Sequence, residues 1–287
     1  MCARKLAVGS EMLVTKDALN ARAEGSGPDV LVLLHGFGSD RTIWAPYLPW
    51  LSQHYRVITY DLPFAGSADP AFFELRRHGG IEGHMQDLLD ILHSFSVERC
   101  SLVGHSLGGL IGLFAAIERP ALFERLILIG TAARYLDGPD FKGGFDLPTL
   151  DAMFAAVAEN FRGWAEAYAP TATGKPLEDP TSQTFLASLL RTRPDIAIAM
   201  ARPIFLGDYH GHVKQCTTPT VILQTREDPA VPLEAALRLQ QCLKNSRLEI
   251  LDAAGHLPHL SAPDAVSAAL RRHLPLLQPR MTGGSRC

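Results

Sequence analysis

No run of eighteen apolar residues occurs in the chain, so no segment is long enough to cross a bilayer as a helix. The first ten residues carry two basic side chains but no apolar core of about 7–15 residues, and the expectation is a cytoplasmic protein. Cysteine is sparse. The five present (Cys2, Cys100, Cys216, Cys242 and Cys287) show neither CxxC pairing nor metal-ligand spacing, so disulfides, zinc or another metal are not expected. Nothing in the pattern asks for a cofactor. Charge of one sign is scarce as well: the formal net charge is −3 and no Lys/Arg-rich stretch exists, which argues against a nucleic-acid partner. Apolar content is what the chain does have. With 47% hydrophobic residues in 287, it can bury a large core as one α/β domain or a domain with an insertion.

Short apolar runs at 30–34, 56–60, 100–103, 125–129, 219–225 and 247–251 read as strands, and residues 6–24 alternate weakly like an edge strand or hairpin. Helical spacing marks 81–95 and 263–274. Short apolar strands alternating with helices imply a mostly parallel sheet covered on both faces. Residues 131–217 break this rhythm. They lack strand patterns and carry four helix-like segments (147–160, 161–168, 181–192 and 194–206) punctuated by proline and glycine. The division expected is a core of 1–130 and 218–277, a helical lid of 131–217 and a flexible tail of 278–287. A helical insertion after one strand lies at the strands' C-terminal edge, where ligands bind.

One hexapeptide, Gly104-His105-Ser106-Leu107-Gly108-Gly109, stands between the apolar run 100–103 and the small, apolar run 110–116. Strand, Gly-x-Ser-x-Gly, helix is the context of a nucleophile elbow, with glycines where strand and helix backbones approach too closely for a Cβ. A serine hydroxyl needs a base to take its proton, and the base needs an orienting acid. In chain order the next suitable turns after strands are Thr225-Arg226-Glu227-Asp228-Pro229 and Gly255-His256-Leu257-Pro258. Ser106, Asp228 and His256 are therefore the candidate nucleophile, acid and base. Glu227, Asp252 and His259 compete less well, His105 reads as structural, and His210 with His212 as a solvated loop. The oxyanion hole is expected from the backbone N–H groups of Leu107 and Phe37, each able to contribute about 3 kcal/mol.

Several segments resemble one group within the α/β-hydrolases: the RsbQ-type bacterial stress regulators and the plant strigolactone and karrikin receptors. They are His35-Gly-Phe-Gly-Ser-Asp-Arg-Thr-Ile-Trp44, Arg134-Tyr-Leu-Asp137, Gly143-Gly-Phe145, Arg193-Pro-Asp-Ile-Ala197, Ile204-Phe205 and Gly255-His-Leu-Pro258. The resemblance implies an α/β-hydrolase fold with a four-helix lid over a hydrophobic pocket. Phe37, Tyr135, Phe145, Trp164, Tyr168, Phe185 and Phe205 would line that pocket. It implies a serine hydrolase acting on a small apolar ester or lactone, a butenolide among the candidates. As the alternative, it implies a slow-hydrolysing sensor that passes its state through the lid to a signalling protein partner. Two departures stand out. Ser106-Leu-Gly-Gly replaces the receptors' usual Ser-Val-Ser, and Asp61-Leu-Pro-Phe-Ala-Gly66 replaces Asp-Asn-Met-Gly-Ala-Gly.

Overall fold

In the computed structural model, which describes residues 16–274, the apolar runs become strands, and those in the middle of the sheet are covered on both faces. Strand β1 is Arg22–Glu24, β2 Asp29–Leu34, β3 Tyr55–Thr59, β4 Cys100–His105, β5 Phe123–Ile129, β6 Thr220–Glu227 and β7 Ser246–Ala254. They form one sheet in the order β1-β3-β2-β4-β5-β6-β7. All pairings are parallel except β1 on β3. β1 is three exposed residues at an edge, short enough to offer little to a foreign strand. The segment 6–15, where a hairpin partner was expected, lies outside the described residues, as does the expected tail.

Successive side chains of a strand point to opposite faces, so a strand buried on both must be apolar throughout. Leu31 and Leu33 of β2 join one core with Val103, Ile127, Ile129 and Leu223. Val32 and Leu34 join the other with Leu102, Leu126, Leu128 and Ile222. Helices α1 (Ile81–Ser94), α2 (Leu107–Glu118) and α7 (Leu233–Cys242) contribute to the second core, and α8 (Pro263–His273) to the first. α2 is buried from Leu107 to Ala116, which is why its sequence is apolar on every side.

Between β5 and β6 stand α3 (Leu147–Glu159), α4 (Phe161–Thr173), α5 (Pro180–Leu189) and α6 (Pro194–Leu206). Their starts follow capping chemistry. Asp146, Asn160 and Asp179 accept from the Thr149, Gly163 and Thr181 amides at 2.8–2.9 Å. Pro148, Pro180 and Pro194 occupy first-turn positions, where a missing N–H costs nothing. α4 departs from the sequence reading. It runs through Pro170 to Thr173 instead of stopping at Tyr168, because Ala165, Ala169 and Ala172 pack one face into the core and Gly174, at φ +68°, caps the end.

A largely buried ionic knot ties the short helix Leu75–His78 to α1. Asp87 has no exposed surface and accepts from Arg77 Nε and Nη2 at 3.0 and 2.6 Å and from His78 Nε2 at 3.1 Å. Removing one partner of such a set leaves the others without compensation. Asp87→Ala is expected to lower the unfolding free energy by about 3 kcal/mol, read from urea denaturation. A loss under about 1 kcal/mol would mean that water takes over the role of the carboxylate.

Candidate active site

The ends of β4, β6 and β7 bring three side chains to one point of the sheet's C-terminal edge. Ser106 follows β4 directly and sits at φ +50°, ψ −116°, with its N–H on the Ile129 carbonyl of β5 at 2.8 Å. The flanking glycines permit this turn: a Cβ on Gly104 would lie 2.6 Å from the Gly109 backbone, and one on Gly108 2.5 Å from the His35 carbonyl. Gly36, in the loop after β2, packs so closely that a Cβ would come within 3.1 Å of Ser106 Cβ.

Asp228 follows β6, and its carboxylate is fixed before it meets histidine. Oδ1 accepts from the Ala230 and Val231 amides at 2.8 and 2.9 Å, and Oδ2 from Gln224 Nε2 at 3.1 Å. His256 follows β7, its N–H bonded to the Ala172 carbonyl of α4 at 2.7 Å. His256 Nδ1 lies 2.9 Å from Asp228 Oδ2 and Nε2 3.0 Å from Ser106 Oγ. A carboxylate only accepts, so Nδ1 carries the proton and Nε2 is free to take one from the serine. All three side chains are nearly inaccessible to water. Of the competing residues, Asp252 is fully exposed and 3.8 Å from Arg226, and Glu227 points to solvent. His210 pairs with Asp208 and His212 packs on Phe114. Among the described residues no group of His, Cys, Asp or Glu has the arrangement of a metal site.

Leu107 is the first residue of α2, whose opening amides have no carbonyl partner within the helix, and Phe37 follows Gly36. The Phe37, Tyr135, Tyr168, Phe185 and Phe205 rings line a cavity of about 20 Å³ over Ser106, together with His105, Ile204, Ala230, His256 and Leu257. That is room for about one water. Phe145 and Trp164 do not line it. Phe145 stands behind Phe205 at 5.2 Å between centroids, and Trp164 stacks behind Tyr168 at 5.3 Å. Their place is one ring further out because the inner rings already fill the space beneath the helices.

The sequence reading missed how Tyr135 closes the site. Its hydroxyl lies 3.1 Å from Ser106 Oγ, and burial pushes its pKa up to about 12, so it is a donor near neutral pH. The loop after Phe37 is strapped to α5. Asp40 accepts from Thr42, from Ser188 Oγ at 2.9 Å and from Arg191. Burial raises its pKa, but the bonds from Thr42 and Arg191 outweigh that and bring it down to about 2.

His259, the weaker competitor for the base, is wholly buried. It stacks on Trp44 at 5.0 Å with neither ring nitrogen bonded. Burial, with His256 and His35 nearby, lowers its pKa to about 3.

A family model described as the alpha/beta hydrolase family matches residues 31–269. Strigolactone esterase D14 of Arabidopsis thaliana is 39% identical over 260 residues, 90% of this chain and 97% of that protein. Karrikin insensitive 2 receptor CA of Petunia hybrida is 36% identical over 264 residues, covering 92% and 98%. Among solved structures, a hydrolase from Oleispira antarctica aligns with a TM-score of 0.86 at 26% identity, over 90% of this chain and 95% of that one.

The buried histidine gives a pH prediction. Below about pH 6.5 the unfolded chain protonates His259 while the folded one does not, so stability falls as pH drops from there towards about 3. One such group contributes a slope of up to about 1.4 kcal/mol per pH unit. His259→Phe is expected to retain stability at pH 7 and to flatten the decline between pH 6 and 4 by about that amount. Urea unfolding at a series of pH values checks it, and an unaltered slope would refute the assignment.

Proposed function

The chain belongs to the α/β-hydrolase family, and from that premise we propose that it is a serine hydrolase cleaving small apolar esters or lactones by acyl transfer through Ser106. The observation that carries this reading is the continuous Ser106–His256–Asp228 hydrogen-bonded chain at a strained turn. His256 Nε2 takes the hydroxyl proton as Ser106 Oγ attacks the ester carbonyl. The oxygen that becomes negative lies against the Phe37 and Leu107 amides, donors that need no reorganisation as charge develops. Asp228 stabilises the imidazolium. The imidazolium then gives its proton to the leaving alkoxide, which in a lactone stays tethered to the acyl group. Water, deprotonated by the same histidine, cleaves the acyl-enzyme and restores the serine.

Residues 131–217 act in this reading as a lid. A cavity of about 20 Å³ cannot hold an ester, so substrate entry requires the rings on α4, α5 and α6 to move and Tyr135 to leave the serine. The apolar rings favour an apolar acyl or lactone group. A second reading, a small-molecule sensor read by a signalling partner, is supported by relatives named as receptors that align across the lid as well as the core.

Ser106→Ala and His256→Ala should abolish turnover of p-nitrophenyl acetate. Asp228→Asn should lower kcat by about 10⁴-fold, since it keeps the shape and loses the tautomer. Undiminished turnover in Ser106→Ala would sink the hydrolase reading. For the sensor, a butenolide added to Ser106→Ala should change the pattern of limited proteolysis within 131–217. An unchanged pattern across a butenolide panel would leave a plain hydrolase.

A further inference from the structure

Behind the reacting atoms lies an imidazole that the hydrolytic scheme leaves idle. His105 ends β4, precedes Ser106 and is 1% exposed. Its Nε2 lies 2.8 Å from the main-chain carbonyl oxygen of His256. A carbonyl only accepts, so His105 donates and carries its proton on Nε2, while Nδ1 has no partner. The other side of the ring faces the loop after β2, where a Cβ on Gly36 would come within 2.9 Å of Nδ1. One ring thus touches the loop that carries Phe37 and the loop that carries His256, and it is covalently next to the nucleophile. Burial, with His259, His256 and His35 around it, holds its pKa well below the ordinary range, so it remains neutral and carries no proton between groups.

The His256 backbone is held at two points, its N–H by Ala172 of α4 and its carbonyl by His105. The first tie is to the helices between β5 and β6, which must move for substrate to enter. The second is to the turn that bears Ser106. We propose that His105 is a positioning residue for the general base: its Nε2–H holds the His256 carbonyl and so keeps His256 Nε2 at 3.0 Å from Ser106 Oγ while those helices move. This inference rests on the serine-hydrolase reading.

The test compares two variants with p-nitrophenyl acetate. Glutamine carries an amide N–H that reaches about as far as Nε2, whereas leucine fills space and donates nothing. His105→Leu should lower kcat by about 10- to 100-fold with KM within about twofold, and His105→Gln should restore most of the loss. Wild-type kcat in His105→Leu, or equal losses in both variants, would overturn the proposal. Should His105→Leu fail to fold, ¹⁵N-histidine NMR of the wild-type protein decides. The Nε2–H tautomer is expected for His105 from pH 5 to 8, and an Nδ1–H tautomer or an imidazolium contradicts it. Labelling of wild-type Ser106 by a fluorophosphonate keeps the two readings apart. Its absence removes the hydrolase reading, whereas labelling together with full kcat in His105→Leu removes only the role of His105.

Discussion

The backbone of Ser106 holds a shape that L residues rarely adopt, and a conformation of this kind costs on the order of 1–3 kcal/mol unless its surroundings over-determine it. Here they do. The Ser106 N–H is bound to Ile129, its carbonyl accepts from the Gly109 and Leu110 amides and from Thr131 Oγ1, and glycines on either side leave the turn no room to relax. Strand, turn and helix α2 are therefore one rigid piece. The sheet then supplies β6 and β7 on the far side of β5, so that the loops carrying Asp228 and His256 arrive at the same edge. Most other features of the site are consequences of that geometry.

What was legible in the sequence follows the same division. The elbow, the strands and the order serine, acid, histidine depend on local spacing and on a parallel sheet, and each leaves a mark in the chain. Ser106, Asp228 and His256 could be named because each lies in the turn that follows a strand-like run. The inner surface under the helices left no such mark. Which rings touch the cavity depends on how α3 packs on α4 and α6, and α4 on α5, and helix periodicity does not report those angles. Phe145 and Trp164 were thus indistinguishable from Phe205 and Tyr168. The contact of the Tyr135 hydroxyl with Ser106 had no sequence signal, and neither had the burial of His259 against Trp44. Pro170 gave a misleading one, since proline inside a helix reads as an end while the alanine face of α4 keeps it going.

Core and inserted helices differ in how they are held. The floor of the site rests on backbone hydrogen bonds and apolar packing that continue into both hydrophobic cores. The roof meets the floor through a few polar contacts, Asp40 with Ser188 and Arg191 and the Ala172 carbonyl with His256, and through apolar side chains such as Ala169, Phe185, Met200 and Phe205 that join the same two cores. Packed cores do not deform readily, so the floor keeps its shape while moving the roof separates apolar side chains as well as polar ties.

Helix α2 carries this contrast into descent. With Leu107 to Ala116 buried all round, it has no face on which substitutions can accumulate one at a time without a cavity or a clash. The helices from Leu147 to Leu206 present exposed residues along much of their length, so single changes there can be absorbed. A lineage that began with this chain would diversify in what it admits long before it diversified in how it reacts.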